Sequence, residues 1–585
     1  MQIVGKIISD FGHDVYGVYC DSLFERCVPK ESRQIRPGDQ EAGQRVCESC
    51  RVKAGALVAA YNLKRFRLDL VIDDGVRAEA KRAVDSHLGD PRIFTYDGVE
   101  FGVLCFHDLA LAAKLLVDSA LTVTAVAYLR EYLRTVVATY IGMSRLFAAG
   151  TFTDVLLYGQ YAANAAVICA AQRANVNWRL IGGVSNCGID LRRLYVNNGQ
   201  SHLWLTRMIA DWPAWREIPI PPDLVKEIGD DIQARLRAVT VHTYSPAKTQ
   251  TTDIRQRLGL DTTRRLMVAF TSSLDEYNAE WMLDRVLGEV PDAADRKPFH
   301  NQLEWLALMT RFVAGRPDLQ LVIRIHPRED ANARDPVRSQ HLSLLEQALA
   351  TVPDNVRVVW PRDPVSSYDL LEAADLAQTW SSTIGLEAAR MGVPVIKANR
   401  GYTSYPEGEF VLSADTPEGL VAAIDEALAW QPNFGRITGA FRFYALSRFH
   451  ASVDLRDLID QFMPQTLPAY HRPANAAQVV KAVVGNIPIW IDKLRHLNIL
   501  PDPGVEGESI RAQLRRTIHF LMTGQDRAED QPLMLASAPQ QPVAIGPPTL
   551  LVDYGWCSYI WNGIIIRKYS PMCARLSVLC AQSTT

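Results

Sequence analysis

The sequence predicts an α/β protein with buried, mostly parallel strands. Short apolar runs recur along the chain, at Asp154 to Tyr158, Leu266 to Phe270, Leu321 to Ile325 and Val356 to Trp360. Runs of this length, bounded by turn residues, are typical of strands buried in parallel sheets. Helix-like segments separate them, which indicates repeated βα units.

Length and charge narrow the classes of protein that remain. The chain has 585 residues, enough for two or more domains, and its 62 basic residues are balanced by 65 acidic ones. This balance gives no basic excess for a nucleic-acid partner. No apolar run approaches the ~20 residues that span a bilayer, and the start does not resemble a secretory signal. We therefore expect a cytoplasmic protein without a transmembrane segment, and peripheral membrane contact stays open.

Residues 1–212 are predicted to form a first Rossmann-like domain. Met1 to Asp10 has helical spacing, so no strand precedes the one that begins near Val15, and the sequence is expected to begin inside the domain. Further on, the strand that ends at Tyr158 leads into a Gly159-Gln160-Tyr161 turn and an alanine-rich helix. This is one βα unit of the domain.

Four cysteines lie close together near the start, at positions Cys20, Cys27, Cys47 and Cys50. The spacing of the last two suits a single metal ion, and the first two could complete a tetrahedral zinc site. Such a site would staple a loop that is long for a plain connection. Burial as small apolar side chains, or a redox pair, are the alternatives.

The second half of the chain divides by composition. Residues 213–263 are proline-rich and then charged, and are predicted to link the domains. Residues 264–440 are predicted to form a second Rossmann-like domain, and residues 441–528 to form helices that pack back across both domains. Residues 529–585 begin as a proline- and glutamine-rich linker and end in an atypical apolar tail.

The strand from Leu321 to Ile325 ends directly in His326-Pro327. Because proline disfavours the helical conformation of the preceding residue, His326 is expected to be extended at the carboxyl end of this strand. Ligands bind at such strand ends in open α/β sheets. A His-Pro pair alone is more often the start of a loop.

A second cluster of polar residues, Ser381-Ser382-Thr383, precedes a helix-like run that contains Glu387, and the next strand follows at Val393-Pro394-Val395-Ile396. Hydroxyl residues at a helix start leave amide groups directed at one point, which can bind an anion. A plain helix cap and a solvated glutamate are the alternative interpretations. The order of the motifs, from His326 to the last strand, favours a nucleotide site.

These motifs, together with Gly385-Leu386-Glu387 and Gly392-Val393-Pro394-Val395, resemble those of the capsule polysaccharide biosynthesis glycosyltransferases and the related CDP-glycerol glycerophosphotransferases. The resemblance covers about the middle third of the chain. It implies the GT-B fold, in which two Rossmann-like domains face each other across a cleft, here with C-terminal helices. It also implies that residues 264–440 bind a nucleotide-sugar and residues 1–212 a glycan acceptor.

The resemblance implies roles for particular residues. His326 and the turn from Ser381 to Thr383 would meet donor phosphate, and Glu387 would bind ribose hydroxyls. The predicted donor-binding residues are Thr271, Ser272, Ser273, Arg324, His326, Arg328, Ser381, Ser382, Thr383 and Glu387. Fixed donors and a helix N-terminus, rather than a metal ion, would then stabilise the leaving group. His13, Asp14 and Asp21 are the candidates for a base that deprotonates the acceptor.

The predicted function is therefore metal-independent transfer of a sugar, from a nucleotide-activated donor to a glycan or related acceptor, in surface polysaccharide biosynthesis. A transferase for glycerol phosphate or ribitol phosphate would use the same motifs. A non-catalytic, zinc-stapled interaction protein is the third interpretation.

Overall fold

A computed structural model describes residues 2–447 with gaps at 11, 21, 25, 28–29, 31–38, 61, 151, 184–192, 199–203, 218–219, 221, 239–242, 250–252, 289–297, 333–336, 400–404 and 431–433. After residue 447 it describes only residues 453–454 and 563–567. The prediction of helices at 441–528 thus lies mostly outside the described residues.

The first domain is built on a seven-stranded mixed sheet. Its strands are β1 (Val15–Tyr19), β2 (Lys64–Arg67), β3 (Phe152–Tyr158), β4 (Asn177–Gly183), β5 (Arg193–Asn198), β12 (Val453–Asp454) and β13 (Gly563–Arg567). They lie in the order β12-β5-β4-β3-β13-β1-β2. β1 runs parallel to β2, and β3 runs parallel to β4. β13 is antiparallel to both β1 and β3, so these two strands point the same way.

The helices of this domain are α1 (Gln2–Asp10), α2 (Gln40–Ala60), α3 (Asp74–Ser86), α4 (Phe101–Ala113), α5 (Val123–Ala148) and α6 (Ala162–Arg173). Asp73 caps α3, because its side chain accepts from the amide of Val76. Apolar side chains of α3 to α6 pack together in one buried core.

The tail contributes a strand to the first sheet, which composition and pattern do not predict. Residues 563–567 form β13, which lies between β1 and β3. The first sheet therefore includes chain from well beyond residue 212.

The second domain contains six parallel strands. They are β6 (Arg265–Phe270), β7 (Leu319–Arg324), β8 (Val356–Val359), β9 (Leu376–Thr379), β10 (Val395–Lys397) and β11 (Leu412–Ser413). Their order is β11-β10-β9-β6-β7-β8. All six residues of β7 are buried, as the continuous apolar pattern predicts for a central parallel strand. The two Rossmann-like α/β domains predicted from the sequence are confirmed.

The remaining helices follow the first domain in the chain. They are α7 (Trp204–Trp215), α8 (Pro222–Leu236), α9 (Ile254–Arg257), α10 (Leu274–Leu287), α11 (Gln302–Ala314), α12 (Gln340–Ala348), α13 (Ser367–Ala373), α14 (Ile384–Arg390), α15 (Pro417–Leu428) and α16 (Phe434–Ala445). The predicted domain boundary at 212 falls inside α7. Trp212 of this helix packs on Phe443 of α16, with ring centroids 5.5 Å apart, inside the core of the second domain.

The two domains meet along α10 and α4. Met282, Leu283 and Leu287 of α10 are buried in the core of the first domain. Lys114, at the end of α4, donates hydrogen bonds to the carbonyls of Arg328 and Val337 in the second domain. The carboxyl end of β7 is therefore brought against the first domain.

Candidate functional site

A pocket opens at the carboxyl ends of β6 and β7 and beside the start of α14. It is lined by Arg235, Thr243, Tyr244, Ser245, Phe270, Thr271, Arg324, His326, Pro327, Ser367, Tyr368, Ser382, Thr383, Ile384 and Glu387. Predicted donor residues from three separate stretches of sequence thus converge on one cavity.

Arg324 is the most unusual residue of this pocket. Its side chain is only 1 % exposed, and Nη1 donates to the carbonyl of Trp360 at 2.6 Å. Its Nε and Nη2 atoms are buried and have no hydrogen-bond partner among the described residues. Burial lowers the pKa of Arg324 to about 10, so the group is still charged at neutral pH. A buried guanidinium with two unused donors is suited to an anion that enters the pocket.

His326 directs a hydrogen-bond donor toward the same cavity. It is extended, with φ −59° and ψ 127°, and its Nδ1 accepts from the amide of Arg328 at 3.2 Å. Because Nδ1 accepts, the neutral ring carries its proton on Nε2. Burial lowers the pKa of His326, which favours this neutral form. The prediction of an extended histidine at the end of the strand is confirmed.

The hydroxyl residues of the turn after β6 form hydrogen bonds to other protein groups, and most of them do not line the pocket. Thr271 Oγ1 accepts from the amide of His326 at 2.8 Å, and Ser273 Oγ donates to Glu276 at 2.8 Å. Ser272 Oγ accepts from the amide of Ser381 at 3.0 Å, which joins the two polar turns. Of the predicted residues in this turn, only Thr271 lines the pocket.

The turn before α14 differs from the predicted anion site. The amides of Gly385 and Leu386 donate to the carbonyls of Ser382 and Thr383, at 3.3 and 3.1 Å. These amides are used inside the turn, so Ser382 and Thr383 contribute mainly as lining residues of the pocket. Ser381 does not line the pocket.

Glu387 lies in the pocket wall, and protein groups already satisfy its charge. Its carboxylate accepts from Arg235 Nη1 at 3.1 Å and from Tyr368 OH at 2.7 Å. Arg235 also pairs with Asp231 at 3.0 Å. Burial acts against the charged guanidinium, but the two carboxylates outweigh burial and raise the pKa of Arg235. A ribose hydroxyl is therefore not needed to explain a buried carboxylate here.

Donor binding is also predicted for Arg328, but its position does not fit that role. Its guanidinium pairs with Asp275 Oδ2, lies 3.3 Å from Glu276 Oε1 and donates to the carbonyl of Leu111 at 3.4 Å. The side chain therefore points to α10 and the first domain, and it does not line the pocket. The guanidinium points in this direction because it is attracted by two carboxylates in the first turn of α10, those of Asp275 and Glu276.

The predicted acceptor-side residues lie at the far edge of the first sheet. His13 and Asp14 precede β1, so they are at the amino end of a strand, whereas ligands bind at the carboxyl ends of parallel strands. Asp14 forms an ion pair with Lys64 at 2.5 Å. This placement argues against His13 or Asp14 as the base, and Asp21 lies outside the described residues.

The four clustered cysteines are half-buried, and in the described part of the chain they are not joined by disulfide bonds. Burial raises the pKa of Cys20 to about 12, with smaller contributions from Cys47 and Cys50 nearby, and the amide of Leu23 donates to Cys20 Sγ at 3.2 Å. Within the described ranges, no three His, Cys, Asp or Glu side chains form a group that could hold a metal ion. The zinc site remains a prediction from the sequence.

Some pocket residues are not predictable from the sequence. Arg235 lies in a charged helix of the segment predicted to link the domains, and Tyr244 lies near His326 with ring centroids 5.8 Å apart. Neither belongs to a recognisable motif. Tyr368 lies at the start of a helix that follows a predicted strand. This position was the one signal in the sequence that could have identified any of these three pocket residues.

No helix in the described part of the chain combines the length and the apolar character needed to cross a bilayer.

No protein-family model matches this chain, and no curated protein matches it. Solved structures that resemble it include KpsC, the β-Kdo 2,4 transferase of Thermosulfurimonas dismutans, at 14% identity, covering 53% of this chain and 86% of that one with a TM-score of 0.30. UDP-GlcNAc 2-epimerase from Neisseria meningitidis bound to UDP-GlcNAc is 11% identical to this chain. The match covers 71% of this chain and 88% of that one, with a TM-score of 0.24. The spinosyn rhamnosyltransferase SpnG is 10% identical to this chain. The match covers 71% of this chain and 90% of that one, with a TM-score of 0.24. At these values, none of the likenesses decides the reaction or the substrate of this chain.

Proposed function

We propose that this protein is a glycosyltransferase of the GT-B kind that binds a nucleotide-sugar in the pocket of its second domain. It would transfer the sugar to a glycan or related acceptor held by the first domain, in surface polysaccharide biosynthesis. The observation that carries this proposal is the buried guanidinium of Arg324, with two unused donors in a pocket that His326 also faces.

The chemistry of the pocket suits a sugar linked to phosphate. Arg324 provides a positive charge and two donor nitrogens, Nε and Nη2, and His326 provides a neutral Nε2–H donor. The hydroxyl residues Thr271, Ser382 and Thr383 also line the pocket. Hydrogen bonds from charged and neutral donors to phosphate oxygens stabilise the leaving nucleotide as negative charge develops on it.

The test is binding of a panel of CMP-, UDP-, GDP- and CDP-linked sugars together with CDP-glycerol and CDP-ribitol, measured by saturation-transfer NMR and then by calorimetry. Arg324→Met keeps most of the length of the side chain but removes its charge and donors. We therefore expect the affinity for the donor that binds to fall by about 10- to 100-fold, which is ~1.5–3 kcal/mol. Arg357→Met is the matched control, because Arg357 is an exposed arginine on the neighbouring strand β8.

The outcomes separate the alternatives. Binding of CDP-glycerol or CDP-ribitol in place of every nucleotide-sugar would favour the polyol-phosphate transferase. If no nucleotide derivative binds the parent protein, both enzymatic proposals fail and the interaction protein remains.

We also propose that Cys20, Cys27, Cys47 and Cys50 bind a structural zinc ion. Their spacing supports this, as does the hydrogen bond from the amide of Leu23 to Cys20 Sγ. Elemental analysis of the purified protein should find one zinc per chain, and the Cys47→Ser, Cys50→Ser double variant should lose it. The buried Cys169 provides the control variant, Cys169→Ser. Metal-free protein with four titratable thiols would reject the site.

A further inference from the structure

A second polar cluster lies in the first domain, near the carboxyl end of β3. His107 and Asp108 are neighbours on α4 and are only 4 % and 7 % exposed. His107 Nδ1 lies 2.6 Å from Asp108 Oδ1. The same carboxylate accepts from Tyr132 OH at 2.5 Å and from the amide of Ala162, at the start of α6, at 3.1 and 3.2 Å.

These contacts define the state of the imidazole. Asp108 is held by two other donors, so it is fixed as an acceptor for Nδ1–H of His107. Nε2 of the ring is then left as a proton acceptor, and no described group hydrogen-bonds to that atom. A histidine oriented by a buried carboxylate is the usual arrangement of a general base.

The position of the pair fits the cleft. Ala162 begins the helix that follows β3, so Asp108 lies at the carboxyl edge of the first sheet, where open α/β folds bind ligands. One helical turn after His107, the carbonyl of Leu111 accepts from Arg328, the residue whose amide donates to His326. The helix that carries the pair therefore contacts the segment that follows β7 and contains His326.

An unsatisfied polar group lies in the adjacent turn. Gln160 is 6 % exposed, and its Nε2 atom has no hydrogen-bond partner within the described part of the chain. The next residue, Tyr161, packs against His107 with ring centroids 6.3 Å apart. A buried amide donor without a partner costs stability unless a ligand accepts from it. A hydroxyl-bearing acceptor would satisfy it.

We propose that His107 is the base that deprotonates the acceptor hydroxyl, with Asp108 as its positioning residue; this rests on the proposed glycosyl transfer. Nε2 of His107 takes the hydroxyl proton, and the acceptor oxygen forms a bond to the anomeric carbon. The bond from that carbon to the phosphate oxygen breaks, and its electron pair leaves with the nucleotide. Gln160 donates to the acceptor and orients it.

The test uses the donor that binds in the panel above and measures nucleotide release in the full-length protein, with water in place of the acceptor hydroxyl. His107→Gln should keep donor affinity within about twofold of the parent but slow release by roughly 100-fold or more, as expected for the loss of a general base. Asp108→Asn should slow release less and leave donor affinity unchanged. His300→Gln, on an exposed histidine, is the control.

If the parent binds no donor, the proposed function fails. If the parent binds a donor and His107→Gln releases nucleotide at the parental rate, the base assignment fails while the proposed function stands. A parent that binds a donor but releases no nucleotide would also overturn the assignment, since the base would have water within reach. Circular dichroism establishes that each variant is folded.

Tyr132→Phe tests the same assignment should neither substitution fold. The titratable groups beside Asp108 in the described structure are Tyr132 and Cys105, and Tyr161 flanks the ring. Removing the tyrosine hydroxyl takes away one of the donors that hold Asp108 in place, so nucleotide release should slow several-fold while donor affinity stays within about twofold of the parent. Release at the parental rate would overturn the assignment, because the orientation of His107 by Asp108 would then not matter for the reaction.

Discussion

His326 provides a direct test of whether the pocket binds phosphate. We expect His326→Ala to weaken nucleotide binding about 10-fold or more, because a hydrogen bond to a charged oxygen contributes ~1.5–3 kcal/mol. The fold should remain intact, since the residue is only half-buried and lies at a strand end. Calorimetry measures the affinity, and His300→Ala is the exposed control. An unfolded variant would show that the histidine belongs to the core.

Substitution of Glu387 should affect stability as well as ligand binding. Its carboxylate satisfies Arg235 and Tyr368, so Glu387→Gln should lower the melting temperature by several degrees, besides any effect on the donor. Tyr368→Phe should lower it less, since it removes one neutral donor. Differential scanning calorimetry without nucleotide measures both. Equal stability of the parent and Glu387→Gln would mean that the ion pair with Arg235 does not form.

Glu280 should make the stability depend on pH. Burial raises the pKa of Glu280 from 4.5 to about 8, with smaller contributions from Asp284 and Glu276. Since the folded pKa lies above the unfolded one, this stability is fully present below the unfolded pKa and is lost as the pH rises through about 8. Glu280→Gln should match the parent near pH ~5 and be more stable near pH ~9, whereas Glu426→Gln, at an exposed position, should not. If the melting temperatures of the parent and Glu280→Gln differ by the same amount across this pH range, Glu280 does not cause the pH dependence.

The start of α14 depends on one close approach. A Cβ on Gly385 would lie 2.8 Å from Tyr405 Cζ and closer still to its hydroxyl, which itself donates to the carbonyl of Ser382 at 3.1 Å. Gly385→Ala should therefore destabilise the domain and disturb the turn that lines the pocket. Adding Tyr405→Phe should restore part of the stability, as thermal melting would show. A double variant no better than the single one would exclude this contact as the cause.

Backbone conformations and strands that depend on neighbouring residues were predictable from the sequence. The packing partner of a helix elsewhere in the fold was not. The extended conformation of His326 follows from Pro327, because the effect of proline acts on the preceding residue alone. The buried strand β7 follows from its continuous apolar run. The packing of α7 into the second core was not predictable, since an amphipathic helix does not specify its partner.

The residues around the acceptor could not be found for two different reasons. His13 and Asp14 precede β1, and strand direction puts them at the edge opposite the carboxyl ends of the sheet. A linear motif does not contain this information. His107 and Asp108 belong to an apolar helix and match no motif, so only the contacts of Asp108 with Tyr132 and α6 single them out.

The interface between the two domains includes a buried lysine. Lys114 is 1 % exposed, ends α4 in the left-handed conformation, and donates to the carbonyls of Arg328 and Val337. Arg328 in turn pairs with Asp275 on α10. These contacts join the first domain to the segment that carries His326.

Lys114→Met should therefore loosen the interface without removing apolar contacts. Charge-assisted hydrogen bonds to two carbonyls are lost, so we expect the free energy of unfolding to fall by about 2–4 kcal/mol. Hydrogen exchange should accelerate at the amides of residues 328–332 and in α4, while β3 and β6 in the two sheets stay protected. Lys81→Met, at an exposed lysine on α3, is the matched control. Unchanged exchange at residues 328–332 in Lys114→Met would show that the packing of α10 on the first domain alone holds the two domains together.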